Sequence, residues 1–453
     1  MSSEDKPLLL PLFVPQVDTT WEWARLDSVA EVFDCPHSTP ALVEELAAPL
    51  VIRSQDVRTG VITTATVARV SEATYQERVK RVVPHFGDLV YSREGTYFGI
   101  AAEVPKGVKL CLGQRMVLIR PNPKLIHHRY LRYWLNSPQV FSHIHGFRDG
   151  TVAERLNLPV IRGLAIGFPP LEMQESIAKT LAAFDDRITL LRETNATLEA
   201  IAQALFKSWF VDFDPVHACA RGEQPAGLAP EVAALFPDSF EESPLGLVPR
   251  GWSLSQLSEA YEINPTRKLK KGEMAPYLDM ASVATSGHTV AGVADREMGS
   301  GTKFINGDTL LARITPCLEN GKTAFVDFLS QEQTGWGSTE FVVLRPKAPL
   351  PVYHGYLLAR HTAFREHAIQ SMSGTSGRQR VQNDVLSRYL VTVPSEKVAM
   401  AFNDVISPLQ QKITENHRQA QTLANLRDTL LPRLISGQLR LPDAEQQLKD
   451  LAV

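Results

Sequence analysis

The sequence predicts a mixed α/β protein with two similar blocks, each followed by a long helix, and the two helices pair as an antiparallel coiled coil. Three observations lead to this prediction. The chain of 453 residues is too long for one ordinary domain. Its second half repeats motifs of the first at an offset of about 225 residues. A helical apolar pattern closes each half.

The repeat begins in the blocks. Residues 87–93 (GDLVYSR) recur as residues 307–313 (GDTLLAR), and residues 118–121 (LIRP) recur as 343–346 (VLRP). Trp21 is followed by Leu26, as Trp252 is followed by Leu257. Short β-rich runs punctuated by Gly and Pro precede helical stretches near 130–136 and 353–370, so each block is predicted to be mixed α/β.

The repeat is clearest in the helices. Apolar residues spaced four and three apart predict a coiled-coil helix of period 3.5 in each half, and the first of these helices has no internal Pro or Gly. The first helix has the positions Ile177, Leu181, Phe184, Ile188, Leu191, Asn195, Leu198, Ala202, Leu205 and Trp209. Adding 225 gives Phe402, Ile406, Leu409, Ile413, Asn416, Ala420, Leu423, Arg427, Leu430 and Leu434, with Leu426 beside Arg427.

Asn195 and Asn416 interrupt these apolar seams at different positions. A buried Asn in a coiled coil costs stability but can fix register and partner choice. The alternative is a partly exposed Asn that an irregular region tolerates, and the sequence leaves both interpretations open.

Charge is distributed unevenly along a chain of net charge −3. Residues 1–168 and 251–394 each carry a net charge of +2, while residues 210–250 carry −5 and are predicted to form a loop with one short helix. Two mildly basic blocks are compatible with localised DNA-contacting faces. Four widely separated cysteines, the lack of a signal-peptide pattern and the lack of a membrane-length apolar run predict a cytoplasmic protein.

The repeat has a physical consequence for DNA recognition. A helix of 38 residues is about 57 Å long, enough to hold two blocks more than one DNA turn apart. Two different blocks on a fixed spacer would read two half-sites separated by unread bases. A pseudo-symmetric pair of helices also offers two equivalent surfaces, which could recruit two copies of a partner.

Several passages resemble one family, the specificity subunits of type I restriction-modification systems. They are residues 168–177 (FPPLEMQESI), 204–215 (ALFKSWFVDFDP), 249–252 (PRGW), 374–380 (GTSGRQR) and 430–437 (LLPRLISG). The resemblance implies target-recognition domains at 1–168 and 251–394, helical spacers at 169–210 and 395–440, a linker at 211–250 and a tail at 441–453. It also implies double-stranded DNA, two methyltransferase subunits and two restriction subunits as partners. S-adenosylmethionine, ATP and Mg are implied for those partners, with no cofactor on this chain.

Candidate DNA contacts are Arg, Lys, Gln and Thr side chains in polar loops, because their donors match base edges or phosphates. The candidates are Arg93, Arg148, Thr151, Arg155, Arg267, Lys268, Lys270, Lys271, Arg313, Lys322, Thr375, Arg378, Gln379 and Arg380. Arg93 and Arg313 recur in both halves, which favours phosphate over base contact; the alternative is an ion pair with Asp88 or Asp308. For the basic run at 267–271 and the loop residues, the alternative is a solvated surface. The first block has Glu154-Arg155-Leu156 where the second has Arg378-Gln379-Arg380.

Catalytic signatures do not emerge from the sequence. Gly321-Lys322-Thr323 resembles a phosphate-binding loop, but Pro316 stands where its leading Gly is needed. His127-His128 and His143-Ile144-His145 have no third ligand at metal-binding spacing. We therefore expect a non-catalytic DNA reader. A self-contained enzyme and a coiled-coil scaffold that binds only proteins are the alternatives. The target bases and the gap length cannot be read from the residues.

Overall fold

The computed structural model describes residues 21–450 except 59, 63, 96, 146–154, 245 and 376. The chain divides into two compact units. Unit 1 comprises the residues up to Ile188 together with those from Thr422 onward, and unit 2 comprises Thr189–Gln421. Two helices of 40 residues, α6 (Leu171–Phe210) and α13 (Glu396–Ile435), each contribute residues to both units.

Unit 1 is built from short strands and helices before the first long helix. The strands are β1 (Glu22–Arg25), β2 (Ala30–Asp34), β3 (Leu50–Ile52), β4 (Val57–Arg58), β5 (Val61–Ile62), β6 (Leu89–Ser92), β7 (Ala101–Glu103), β8 (Leu110–Leu112), β9 (Met116–Pro121) and β10 (Ala165–Phe168). The helices are α1 (Leu26–Val29), α2 (Glu72–Arg78), α3 (His128–Leu135), α4 (Pro138–His145) and α5 (Leu158–Arg162), with α14 (Leu441–Asp450) near the C-terminus. Single 3₁₀ turns lie at Ser54–Asp56 and Thr64–Thr66.

The main sheet of unit 1 is antiparallel, in the order β2-β9-β6-β7. Its central strands β6 and β9 are almost entirely buried, which explains their continuous apolar sequence. Strand β1 pairs with β10, β4 with β5, and β3 runs parallel to β8. The predicted mixed α/β character of the first block is confirmed.

Unit 2 contains a similar set of elements. Its strands are β11 (Phe240–Ser243), β12 (Gly246–Pro249), β13 (Ser253–Gln256), β14 (Tyr261–Ile263), β15 (Met274–Leu278), β16 (Ala294–Glu297), β17 (Thr302–Phe304), β18 (Thr309–Ala312), β19 (Thr323–Phe325), β20 (Gly335–Gly337), β21 (Phe341–Pro346) and β22 (Leu390–Val393). Its shorter helices are α7 (Asp214–Ala220), α8 (Pro230–Ala233), α9 (Leu257–Ala260), α10 (Val352–Arg360), α11 (Thr362–Gln370) and α12 (Asn383–Ser387).

The main sheet of unit 2 repeats that of unit 1 strand for strand, in the order β14-β21-β18-β19. The pairing of β13 with β22 likewise repeats that of β1 with β10. Unit 2 adds a second four-stranded sheet, β16-β15-β20-β17, where the corresponding part of unit 1 has the two small strand pairs. The internal repeat predicted from the sequence is therefore a repeat of the fold.

The repeated motifs form a similar aspartate–arginine ion pair in both sheets. In unit 1, Arg120 of β9 binds the fully buried Asp88 through its Nε (2.8 Å) and Nη2 (2.7 Å). In unit 2, Arg345 of β21 donates from Nη1 to the fully buried Asp308 (2.7 Å). Each aspartate also accepts a hydrogen bond from the backbone N–H three residues before it. The Gly-Asp and Arg-Pro motifs thus clamp neighbouring strands.

The long helices run antiparallel, as predicted. Within unit 2, Trp209 near the end of α6 contacts Phe402 near the start of α13, with ring centroids 5.3 Å apart. Asn195 lies opposite Asn416 in the same unit. Within unit 1, Asp185 of α6 binds Arg427 of α13 at 2.7 Å. The predicted coiled-coil pairing is confirmed.

The acidic spacer is more ordered than its composition predicted. In place of a loop with one short helix, it contains α7, α8 and the hairpin of β11 and β12. Apolar residues explain the difference, because Val216, Ala233 and Phe236 are buried in the main core of unit 2. Their burial outweighs the turn-forming prolines and glycines around them.

Candidate nucleic-acid interface

The Gly-Ser-rich loop of unit 2 is held by backbone hydrogen bonds at its base. Ser373 and Arg380 exchange backbone hydrogen bonds (3.0 and 2.9 Å) and so close the loop. Thr315 donates its N–H to the Gln379 carbonyl (3.0 Å), which ties the loop to the end of β18. Gly374 has φ +132°, a region that residues with a Cβ avoid. The loop is thus a projection with a fixed base.

The predicted contact residues of this loop fall into two classes. Thr375 and Arg378 are exposed, and Arg378 has no ion pair with any residue in the described part of the chain. Gln379 and Arg380 are half-buried at the base. Free donors at a projecting tip are what base or phosphate recognition requires. As DNA contacts, all four residues remain predictions.

Arg380 and Arg313 share one carboxylate, that of Glu340, and these three residues are called the Glu340 cluster. Arg380 binds it bidentately, from Nη2 to Oε1 (2.6 Å) and from Nε to Oε2 (2.9 Å). The Nε of Arg313 lies 3.5 Å from Oε2. The guanidinium of Arg380, followed by that of Arg313, keeps the pKa of Glu340 below its ordinary value. The alternative pairing of Arg313 with Asp308 is wrong, because Arg267 and Arg345 bind that aspartate.

The basic run at 267–271 is anchored so that its lysines face outward. Arg267 binds the buried Asp308 (2.9 Å), and the carbonyl of Leu269 accepts a hydrogen bond from Lys303 (2.7 Å). Lys268, Lys270 and Lys271 are exposed. Contact between these three lysines and phosphates remains a prediction.

A polar cleft of about 290 Å³ connects this basic run with the Glu340 cluster. Its walls include Asn264, Thr266, Lys303, Arg313 and Thr339. Lys322 lies elsewhere, because its ammonium group donates to the carbonyls of Met280 and Ala281. These hydrogen bonds give Lys322 a role in loop packing. Contact between Lys322 and DNA remains a prediction. The cleft is a cationic, hydrogen-bonding concavity of the kind that accepts a phosphodiester.

Unit 1 distributes its charges differently at the corresponding strand ends. Arg93 lies 3.5 Å from Asp34, so its alternative pairing with Asp88 is wrong. Arg115 pairs with Glu94 at 3.1 Å. Arg155 forms a β-bridge with Glu94, is exposed and has no ion pair among the described residues. Arg148 and Thr151 lie outside the described residues.

The sequence reasoning missed Glu340, its counterpart Arg115, and Lys303. Glu340 and Arg115 each stand directly before the repeated strand, β21 or β9. An alignment of the two halves would have placed an acid and a base at the same position. Lys303 carries no such signal, because its partner, the Leu269 carbonyl, is set by folding.

The predicted helical seam residues are largely internal to the chain. Those that are buried are Ile177, Leu181, Phe184, Ile188, Leu191, Trp209, Phe402, Ile406, Ile413, Leu423, Leu430 and Leu434. Those that are half-buried are Asn195, Leu198, Leu205 and Leu409. Such residues can hold the helices together, and a partner would meet the outer faces of the helices.

The described ranges of the chain contain neither a candidate metal site nor a candidate membrane-spanning helix. No group of three His, Cys, Asp or Glu side chains there is arranged to hold a metal ion. Among the helices described, none is long and apolar enough to cross a membrane.

Comparison with known proteins places these observations in a family context. Residues 19–200 match a family model described as the type I restriction modification DNA specificity domain. The type I restriction enzyme MjaIX specificity subunit of Methanocaldococcus jannaschii is 24% identical over 387 residues, covering 83% of this chain and 82% of that protein. The HindI specificity subunit of Haemophilus influenzae is 24% identical over 404 residues, covering 78% and 86%. A crystal structure of the S subunit of a type I restriction-modification system from M. genitalium shares the fold, with a TM-score of 0.56 and 15% identity over 95% of this chain and 99% of that one.

Proposed function

The chain belongs to the specificity subunits of type I restriction-modification systems, and we propose that it recognises a bipartite DNA sequence and directs partner enzymes to it. Each unit supplies one recognition surface. In this proposal the chain is a non-catalytic subunit that acts in the cytoplasm, and S-adenosylmethionine, ATP and Mg are bound by its partners.

The proposal rests mainly on one observation: the two units share a scaffold but expose different arginines. Both units have the same four-stranded sheet and the same aspartate–arginine clamp. Beyond the ends of the central strands of that sheet, unit 1 exposes Arg155 and unit 2 exposes Arg378. One scaffold with two sets of donors would read two different half-sites, since sequence discrimination depends on donors at base edges.

The partners follow from the same family assignment. The chain associates with methyltransferase and restriction subunits, and we propose two copies of each, one for each repeat. The long helices carry exposed apolar side chains, and we propose these as candidate contacts for the protein partners. They are Met173, Leu190 and Ile201 on α6, and Met400 and Val405 on α13.

The experiment is to purify the chain with the methyltransferase subunit of its system and to map methylated adenines on genomic DNA. We expect one bipartite motif with an unread gap, and we expect that motif to vanish when this chain is omitted. The methyltransferase subunit alone is the matched control. Methylation that is independent of this chain would contradict the proposal and favour a protein-binding scaffold.

A further inference from the structure

The Glu340 cluster lies among the predicted DNA-contacting residues of unit 2. Its three side chains are partly exposed, with 36% of Arg380, 28% of Arg313 and 21% of Glu340 accessible to solvent. They stand at the base of the projecting loop and beside the cleft that contains Lys303. Two arginines share one carboxylate, so the cluster keeps a single net positive charge.

The backbones of Glu340 and Arg313 are joined, and the Glu340 carboxylate in addition holds both arginine side chains. The Glu340 carbonyl accepts a hydrogen bond from the N–H of Arg313 (3.0 Å), and the next residue begins strand β21. Both arginines have long side chains with many rotamers, which only this carboxylate restrains in the described contacts. Glu340 therefore determines where the two guanidinium groups are held.

We propose that Glu340 is a specificity-determining residue of unit 2, which acts by withholding Arg313 and Arg380 from the phosphates of non-target DNA. This inference rests on the proposed function of the chain as a DNA reader. Glu340 is a positioning residue, because its carboxylate acts through the two arginines.

The physical reason is competition between sequence-dependent and sequence-independent attraction. Free guanidinium groups bind phosphates of any sequence, and each phosphate contact releases counterions. A bidentate carboxylate occupies the same donors that a phosphate would use. Arg378, which has no such carboxylate, stays available at the loop tip. Glu340 thus lowers the affinity of unit 2 for unrelated DNA and leaves the donors of the loop tip in place.

The effect is confined to unit 2 because unit 1 lacks this arrangement. Arg115 occupies the position that precedes the repeated strand in unit 1. Its carboxylate partner, Glu94, binds that arginine alone among the ion pairs of the described residues. Neutralising Glu340 should therefore alter only the half-site that unit 2 reads.

The test uses the full chain in complex with its methyltransferase subunit and the variant Glu340→Gln. Binding to the target duplex and to a scrambled duplex is measured over a series of KCl concentrations. For the scrambled duplex we expect affinity to rise roughly fivefold to tenfold, and log K to fall with log salt more steeply by about 0.9 for each arginine that reaches a phosphate. Methylation mapping should show relaxed recognition of one half-site only.

Two further variants separate this effect from bulk charge and from folding. Asp384→Asn removes the same charge from an exposed pair with Arg388 in α12, and we expect its salt dependence to match the unmodified complex. Glu340→Gln combined with Arg380→Gln should lose most of the added affinity for scrambled DNA, because the released arginine is gone. A thermal melt of each complex confirms that it is folded.

Three results would decide against the inference. An unchanged salt dependence in Glu340→Gln would show that the arginines are not released. An equal change in Asp384→Asn would assign the effect to net charge. A parallel loss of target and scrambled binding would make Glu340 merely structural. If the unmodified complex binds both duplexes equally, the proposed function itself is wrong.

Discussion

In unit 1, Arg93 and Arg115 each have a carboxylate of their own, Asp34 and Glu94, whereas in unit 2 Arg313 and Arg380 share one. The clamps of Asp88 with Arg120 and of Asp308 with Arg345 are the same. What the two halves repeat therefore holds the sheet together, and what they do not repeat lies at the ends of its central strands. This division is what a protein with one scaffold and two reading tasks requires.

The buried aspartates provide the largest test of this comparison. Asp308 accepts hydrogen bonds from Arg267 and Arg345, while Asp88 has one arginine partner, Arg120. We expect Asp308→Ala to destabilise unit 2 by about 3 kcal/mol, because it leaves two half-buried guanidinium groups without their carboxylate. Asp88→Ala should cost unit 1 less. Hydrogen exchange of the β18 and β6 amides measures the two losses separately.

Asp308→Asn is the control for this test, since it keeps the shape and one acceptor of the side chain, and its loss should be intermediate. Equal losses in Asp308→Ala and Asp88→Ala would show that the second arginine adds nothing. The two units would then differ in the ion pairs at their strand ends but not in their buried aspartate–arginine pairs.

The sequence predicts the helices and the repeat well but does not predict the ion pairs at the strand ends. Period 3.5 over two long segments specifies the helical pairing, because only the apolar stripe can be buried there. The partner of Arg313 depends on which residues the fold brings together across 27 positions of chain, from 313 to 340, and no local pattern encodes that distance. The sequence offers Asp88 and Asp308 as alternative partners of Arg93 and Arg313, whereas the fold pairs these arginines with Asp34 and Glu340.

The two asparagines of the helical seam allow a second test, on the long helices. In unit 2 the Asn416 amide donates to Asn195 Oδ1 (2.9 Å), and the Asn195 amide donates to the Ile413 carbonyl (3.0 Å). The polar contact between the helices in unit 1 is instead the ion pair of Asp185 with Arg427. We expect Asn416→Leu to destabilise unit 2 by about 2 kcal/mol, since it leaves a half-buried amide oxygen without its donor.

A double-mutant cycle completes that test. Asn195→Leu combined with Asn416→Leu should recover most of the loss, because no unpaired polar group remains between the helices. Urea unfolding followed by hydrogen exchange of α13 measures each variant. A loss in the double variant equal to the sum of the single losses would mean that the two side chains act independently.

Substitution of the exposed arginines tests whether the two units recognise different half-sites. We expect Arg378→Ala to weaken target binding by roughly tenfold and to relax or weaken only the half-site of unit 2. Arg155→Ala should do the same for the other half-site. Binding to duplexes that carry one altered half-site at a time distinguishes the two. A uniform loss with a shallower salt dependence would identify phosphate contacts in place of base contacts.

The last test concerns pH, and it again separates the two units. The third residue of α10 is His354, whereas the third residue of α3 in unit 1 is Tyr130. Burial lowers the pKa of His354 to about 3, while burial raises the pKa of Tyr130 well above its ordinary value. Below about pH 6.5, His354 is protonated in the unfolded chain but stays neutral in the folded chain. The stability of unit 2 should therefore fall by up to about 1.4 kcal/mol for each pH unit below that value. Tyr130 stays neutral throughout that range.

His354→Asn removes this titration and keeps a side-chain amide near Tyr261, which bonds His354 Nδ1 in the folded chain. Hydrogen exchange of β21 between about pH 7.5 and pH 5, corrected for intrinsic rates, should show a shallower pH dependence in this variant. Exchange of β9 in unit 1 serves as the internal control and should be the same in both proteins. If the variant keeps the full pH dependence in β21, another group titrates in unit 2, and His354 does not account for the difference between the units.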